Sequence, residues 1–566
     1  MSAENKKNLL TILVEDYFHV GAFENLIQQR NWQNFEPRYE QNTLKTLDLL
    51  DRYDTKATFF VLGWIADLNP DLIREIVSRG HEVASRGFYH RSPRNLTPDE
   101  FREDLRRSNR AIEDACGQKV IGYRAAEKLS FEQSAWILET LRDEGFAYDA
   151  SFLPSSKTDK AKRIAHKIET DENSIWEFPY STVDLGVGLL PISGGNYYRQ
   201  LPYTLMRKAV KNWHNRHEDP FVFYFHVWEL DPEQPRISAA SKFNRIRHYR
   251  KLDKMEWILH ENLALYECTG VAEYLGLADS LKLAECERIV EPASITVSPT
   301  RAAELTPVSI VVPCYNEQES LPYLAKTLTS VEKRLNDIGF RSELIFVDDK
   351  SQDDTLNVLE SLFGNRSSVQ IIRHEANKGV AGGIMTGIRA AKTELVCSID
   401  CDCTFDPHEL VKMIPLMKGG VDMVTASPYH RDGGVQNVPA WRLLLSKGAS
   451  VLYRCVLRTK IASYTSCFRV FRRSSMVDIN PTAPGFHGVP EMLGLLDLKG
   501  GKIVEFPTVL AVRLFGASKM KTVKTIVGTV KLLSHLAILR FFGKTESIKP
   551  SLTTSGMTPA SKPLIK

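Results

Sequence analysis

In the second half of the chain, short apolar runs stop abruptly at acids. Leu395-Val-Cys-Ser-Ile399 leads straight into Asp400-Cys401-Asp402, and Val347 leads into Asp348-Asp349. A strand buried on both faces has no use for carboxylates along its length, because an ionised group in an apolar interior is costly. Acids at its end therefore belong to a site beyond it. Carboxylates at i and i+2 of an extended stretch can converge on one hard divalent cation, which takes oxygen ligands and can hold a diphosphate in turn. A sugar nucleotide is the first substrate to weigh.

The surrounding pattern gives those acids a place. Val308-Ser-Ile-Val-Val312 runs into Pro313-Cys-Tyr315-Asn316-Glu317, Glu343-Leu-Ile-Phe-Val347 into the Asp pair, and Val421-Asp-Met-Val-Thr425 follows. Helical spacing of apolar residues over 317–335, 355–363 and 379–391 separates them. Alternating strands and helices predict an α/β fold with a mostly parallel sheet covered on both faces. Ligands of such sheets collect at the carboxyl ends of strands, where these acids stand.

Five segments in order then carry a resemblance: Pro313-Cys-Tyr-Asn-Glu317, Val347-Asp-Asp-Lys-Ser351, Asn377-Lys-Gly379 with Gly382-Gly383, Asp400-Cys-Asp402, and Arg513-Leu-Phe-Gly516-Ala-Ser518-Lys519. Together they resemble family 2 glycosyltransferases, in the branch that moves sugars onto dolichyl or polyprenyl phosphate, over about residues 305–540. The resemblance implies a GT-A, Rossmann-like domain using Mg²⁺ or Mn²⁺. It places Pro313, Tyr315, Glu317, Asp348, Asp349, Lys378 and Asp400 around the nucleotide sugar, with Asp348 and Asp349 near the base. Asp400 and Asp402 fall at the metal and diphosphate, and Asp402, Arg513 and Lys519 at the chemistry. Thr404 stands where relatives often have a further Gln ligand. Gln436-Asn-Val-Pro-Ala-Trp441 lacks the Gln-x-x-Arg-Trp of processive synthases, so a single transfer is expected.

The first half has its own pattern. Leu9 to Val14 is apolar and ends in Glu15-Asp16; Ala57-Thr-Phe-Phe-Val-Leu62 is a second such run; His81-Glu-Val-Ala-Ser-Arg86-Gly-Phe-Tyr-His90 follows. Later come Gly122-Tyr-Arg124-Ala125, Trp176-Glu-Phe-Pro179 and Phe221-Val-Phe-Tyr-Phe-His226-Val-Trp-Glu229-Leu-Asp231. This order resembles polysaccharide deacetylases of carbohydrate esterase family four, over about residues 9–275, and implies a distorted (β/α) barrel with its site at the carboxyl ends of the strands. In that family a metal polarises the acetamide and activates water, held by one Asp and two His. Asp16 and His90 match two ligands, and Glu15, Arg124 and His226 complete the deacetylase-like set. The third ligand place is Arg86, whose guanidinium keeps its proton and has no lone pair for a metal. Leu13 stands where the branch has Asp. Those two changes put zinc in doubt and favour a degenerate deacetylase. The alternatives are a bifunctional enzyme that also deacylates an N-acyl sugar, with His19 or His81 as substitute ligand, and a non-catalytic glycan-binding module.

Composition fits this pair of domains. A chain of 566 residues exceeds one ordinary core and suits two of about 250 residues. Its 43% hydrophobic and 25% charged residues are globular values, and a net charge of +4 offers nothing to a nucleic acid. Nine cysteines without framework spacing read as reduced thiols of a cytoplasmic protein, and no secretory h-region follows the first lysines. The expected division is 1–280 deacetylase-like, 281–305 linker with prolines at 292, 299 and 307 closing it, 306–520 transferase, and 521–566 basic helix and disordered tail. Residues 525–542 are largely apolar but interrupted by Lys531, His535 and Arg540, which argues against a membrane span. Two settings stay open for them: an amphipathic helix on an anionic membrane, peripheral on its inner face, or a helix packed on the transferase domain. The expected partners are a nucleotide sugar and a polyprenyl-phosphate lipid at the membrane surface; sugar, acceptor and oligomeric state are not legible.

Overall fold

The computed structural model describes residues 7–131, 135–155, 157–169, 174–186, 188–282, 305–438, 440–516 and 522–542, and the chain separates into two compact units, Met1–Thr296 and Val297–Lys566. Nearly all of the expected linker, Ser518, Lys519, and the tail from 543 lie outside the described residues.

The first unit is built on β1 (Asn8–Val14), β2 (Thr58–Val61), β3 (Glu82–Ser85), β4 (Gly122–Tyr123), β5 (Tyr148–Asp149), β6 (His166–Glu169), β7 (Ser174–Glu177), β8 (Thr182–Asp184), β9 (Leu189–Pro191), β10 (Val222–His226) and β11 (Cys268–Thr269). Its main sheet runs β10-β1-β2-β3-β4-β5-β7-β6, with β11 also on β1. The pairs are parallel except β6 with β7. All of β1 is buried, and its alternation explains how both faces are filled. Leu10, Ile12 and Val14 join the larger core, which includes residues of the surrounding helices, whereas Leu9 and Leu13 point to an inner cluster with Phe60, Tyr148 and Tyr224. The sheet curls round until irregular backbone closes it. Tyr180 N–H donates to Phe152 O, Ile192 N–H to Ser181 O, and Tyr224 N–H to Ser193 O, each at 2.9 Å. This is the distorted barrel.

The second unit contains β12 (Thr306–Cys314), β13 (Phe340–Asp348), β14 (Val369–Arg373), β15 (Leu395–Ser398), β16 (Met423–Ser427), β17 (Gly434–Val435), β18 (Arg469–Arg472), β19 (Ile503–Pro507) and β20 (Val509–Leu510). Seven strands form one sheet, ordered β14-β13-β12-β15-β18-β16-β19, in which only β18 runs antiparallel to its neighbours. Period-two alternation again divides the core. Val308, Ile310, Val312, Leu344 and Phe346 pack beneath the helices Leu321–Asp337 and Thr355–Phe363. Val311, Ile345, Val347 and Val396 pack beneath Gly379–Ala390 and Gly488–Leu498. The result is a GT-A-type sheet covered on both faces.

The basic C-terminal segment is a 21-residue helix, Thr522–Phe542, and no helix among the described residues is long and apolar enough to cross a membrane. One side is packed: Leu532, Leu533 and Leu536 are buried in the transferase core. The rest leaves Val527 65%, Ile538 58% and Phe542 84% exposed.

Seating Gly379–Ala390 on β12 needs a residue without Cβ. A methyl group at Gly387 would lie 2.2 Å from Val311 Cγ1 on the central strand, which cannot retreat. Alanine gains about 1 kcal/mol of helix propensity, but overpacking a rigid core costs roughly 1–3 kcal/mol. Gly387→Ala is therefore expected to lower the melting temperature of the second unit; an unchanged or raised value in thermal unfolding would show that the helix can slide.

Candidate functional site

The acids of the second unit stand at the carboxyl edge of β12, β13 and β15. β12 and β13 end together, with Cys314 paired to Asp348, and the Asp349 N–H donates to Cys314 O at 2.8 Å. Asp349 is nearly saturated. Its carboxylate accepts from Lys378 N–H at 2.7 Å and Gly379 N–H at 2.8 Å, at the start of the helix Gly379–Ala390, and lies 2.7 Å from His374 Nδ1. His374 reaches on to Thr386 Oγ1 at 2.9 Å, so Asp349 fixes this helix against the sheet edge. Asp348 accepts from Ser351 N–H at 3.1 Å and pairs with the half-exposed Arg373 at 3.4 Å. Lys378 is exposed, while Pro313 and Tyr315 are half-buried on the adjoining loop.

That loop is braced against the next. Asn316 Oδ1 accepts from Gln352 N–H at 2.7 Å, and Glu317 N–H donates to Thr355 Oγ1 at 2.7 Å. Glu317 then meets Arg513, brought from the far end of the sequence, in a short hydrogen-bonded ion pair. The same guanidinium lies 3.5 Å from Asp402. Gly516, at φ +68°, turns the chain here and donates its N–H to Glu319 at 3.0 Å, a backbone conformation that favours glycine. Ser518 and Lys519 lie outside the described residues.

Asp402 is held by Thr404 N–H at 3.1 Å, so the residue in the expected Gln place contributes a backbone donor. Burial, then the neighbouring Asp402, pushes the Asp400 carboxyl up to about 7. Behind it stands a residue pair that sequence patterns did not single out. Cys467 lies beside Asp400, and Arg469, buried among apolar residues of β18, donates to Tyr464 O at 2.8 Å and Val489 O at 2.9 Å. An arginine between Phe468 and Phe471 in an apolar run was the available signal. Two crowded carboxylates, one reluctant to ionise, make a site that a divalent cation would relieve. Among the described residues no third His, Cys, Asp or Glu joins them into a metal-ligand group.

In the first unit the sequence-selected residues divide. Glu15 Oε2 accepts from Arg86 Nε at 2.8 Å and lies 2.9 Å from His90 Nε2, while Oε1 is 3.3 Å from His226 Nε2. Burial alone would raise this carboxyl, but Arg86, then His90 and His226, hold it well below its ordinary range. Arg86 Nη2 is 3.2 Å from His90 Nε2, so acid, guanidinium and imidazole are in mutual contact. Glu229 orients His226 from behind: it accepts from His226 N–H at 3.0 Å, lies 3.3 Å from Nδ1, and is paired with the buried Arg199 at 2.9 Å. Gly195 leaves room for this carboxylate, since a Cβ there would come within 2.5 Å of Oε2.

Asp16 differs from its expected place as a ligand. Its carboxylate turns away and accepts from the N–H groups of Tyr17 at 2.9 Å, Arg38 at 2.6 Å and Tyr39 at 3.0 Å. Burial still lifts it to about 7. The adjacent acid, Glu15, occupies the centre instead, because the chain leaves β1 there and consecutive side chains face different ways. His19 Nδ1 accepts from Asp16 N–H at 2.9 Å, so that nitrogen is committed. His81 precedes β3 and accepts from Ala57 N–H at 3.3 Å, at the opposite end of the strands from the site.

Arg124 lies inside the barrel, fully buried. Nη1 donates to Thr11 Oγ1 at 3.0 Å and the guanidinium stacks on Tyr224 and Tyr180 at 4.2 and 4.6 Å, but Nε and Nη2 have no hydrogen-bond partner among the described residues. Leu13, on the inward face of β1, supplies none.

Comparison with known proteins agrees with this division. Residues 309–479 match the Glycosyl transferase family 2 model, residues 26–141 the Polysaccharide deacetylase model, and residues 151–275 a domain of unknown function, DUF3473. The chain is 32% identical over 218 residues to a dolichol-phosphate mannosyltransferase of Pyrococcus furiosus, covering 38% of this chain and 59% of that protein. It is 31% identical over 169 residues to an undecaprenyl-phosphate 4-deoxy-4-formamido-L-arabinose transferase of Pseudomonas savastanoi, covering 30% and 48%. The chain thus spans about half the length of these relatives. A putative polysaccharide deacetylase from Mycobacterium smegmatis is 16% identical, covering 50% of this chain and 96% of that one, with a TM-score of 0.33. The chain carries a polysaccharide-deacetylase domain followed by a family 2 glycosyltransferase domain.

Proposed function

We propose that the second domain transfers a sugar from a nucleotide sugar to a polyprenyl phosphate, and that the first is a deacetylase fold in which Arg86 has replaced the metal. The observation that carries the first part is the meeting of Asp400, Asp402, Glu317 and Arg513 at one strand edge, acids and cation drawn from three distant segments. Relatives named for transfer to dolichol and undecaprenyl phosphates support the acceptor class.

Asp400 and Asp402 would hold Mg²⁺ or Mn²⁺, whose chemistry is to neutralise a diphosphate as it departs. Arg513, already paired with two carboxylates, would shift its guanidinium onto that diphosphate, and Lys519 would serve as a second cation. An acceptor phosphate is ionised and nucleophilic at neutral pH, so no strong general base is required. Positioning and electrostatic stabilisation then carry the rate. A lipid acceptor calls for a peripheral membrane site on the cytoplasmic side, and the exposed Val527, Ile538 and Phe542 beside Lys531 and Arg540 support one.

Asp402→Asn should cut transfer by about 10²-fold or more with the fold retained, and chelation of divalent cations should do the same to the wild type. Transfer at the wild-type rate in either case would reject the assignment. Arg513→Ala should lower kcat by roughly 10²-fold, out of proportion to any fall in melting temperature. Parallel loss of melting temperature and activity would make Arg513 structural.

For the first domain, the full chain should take up no stoichiometric zinc at the Glu15 site and should not deacetylate N-acetylated sugars. Arg86→His with Leu13→Asp should bring zinc binding, because it supplies an imidazole beside Glu15 and His90 and a carboxylate for the unpaired Arg124. Deacetylation by the unaltered chain would instead favour the bifunctional reading.

A further inference from the structure

We propose that the deacetylase domain docks on an anionic lipid surface through the helix Lys242–Tyr249. Between residues 236 and 254 the sequence has seven Lys or Arg and a single acid, Asp253, whose carboxylate lies 3.7 Å from Lys254. Lys242, Arg245, Arg247, Arg250 and Lys251 are exposed and make no ion pair among the described residues. Three residues apart on the same helix, Phe243 and Ile246 are 72% and 61% exposed. Cations around two bare apolar side chains are an unusual surface for a soluble domain, which ordinarily covers such residues or scatters them singly.

The helix is rigidly set, so this exposure is built in. Ser241 caps it by accepting from Asn244 N–H at 3.2 Å, and Asn244 Nδ2 donates to Ala22 O at 3.0 Å. His248 stacks on Trp228 with ring centroids 4.1 Å apart and bonds Gln234 at 2.8 Å, and Tyr249 O–H accepts from Ile237 N–H at 2.8 Å. With positions 244, 248 and 249 committed inward, 243 and 246 face out. Arg199 donates to the carbonyls of His248 at 2.9 Å and Arg250 at 2.7 Å while holding Glu229, the partner of His226. The basic helix is thereby tied to the carboxyl-end face of the barrel that carries Glu15.

The chemistry selects the occupant. A soluble polyanion would meet the five cations but leave Phe243 and Ile246 in water, and an apolar protein groove would strand the cations. An anionic lipid surface meets both, taking the two side chains among its acyl chains and the cations among its headgroups. This surface belongs to the first unit, and the proposal does not rest on the acceptor assigned to the second.

The test uses the full chain with phosphatidylglycerol–phosphatidylcholine vesicles and with phosphatidylcholine alone. Amide exchange across residues 242–251 should slow only with the anionic vesicles. Phe243→Glu/Ile246→Glu and Arg245→Glu/Arg247→Glu should each weaken vesicle binding at least tenfold without lowering the melting temperature. The charge variant should also flatten the salt dependence. Unaltered affinity in both variants, or protection confined to Thr522–Phe542, would overturn the proposal. So would equal protection by soluble heparin that ignores Phe243→Glu/Ile246→Glu, marking a polyanion site, or protection that rises with protein concentration without vesicles, marking a second copy of the chain.

Discussion

A carboxylate at the end of a buried parallel strand must be met by donors or cations, and both domains are organised by how that demand is answered. Asp349 is met by two helix N-terminal amides and His374, which seats the helix Gly379–Ala390 against the sheet. Asp16 is met by three backbone amides, which fixes the loop after β1 to the start of the next helix. Asp400 is answered incompletely, and its carboxyl resists ionisation. Burial lifts Asp16 as far, so what sets Asp400 apart is the second carboxylate beside it, Asp402.

Glu15 shows the opposite outcome. Two imidazoles and a guanidinium surround it so fully that it stays ionised despite burial. A side-chain cation in that position supplies charge without an open coordination site, while Glu229 and Arg199 hold His226 from behind. Arg124, with Leu13 on the inward face of β1, donates to Thr11 and lies over aromatic rings, and two of its guanidinium nitrogens have no hydrogen-bond partner among the described residues.

Helical packing settled the setting of the C-terminal segment in a way its composition could not. Lys531, His535 and Arg540 interrupt the apolar pattern, which reads equally as a membrane-surface helix or a packed one. The helix Thr522–Phe542 does pack, through Leu532, Leu533 and Leu536, and still leaves an apolar remainder facing out. The basic patch on Lys242–Tyr249 escaped the linear reading altogether, because Phe243 and Ile246 resemble core residues until His248 and Tyr249 are seen to occupy the inward face.

The sequence alone determined the two α/β domains, their order, and the acids at their strand ends. Period-two burial and abrupt acid endings are local properties of β1, β12, β13 and β15, written in consecutive residues. Which acid faces a site was decided only by tertiary structure. Glu15 and Asp16 are adjacent and chemically alike, yet one meets Arg86, His90 and His226 and the other meets backbone amides. Likewise Arg513 reaches Glu317 and Asp402 across nearly two hundred and more than one hundred residues of chain, and Arg469 reaches the carbonyls of Tyr464 and Val489 from an antiparallel strand. Such contacts depend on the direction in which a side chain leaves a turning backbone, and no spacing rule along the chain encodes that direction.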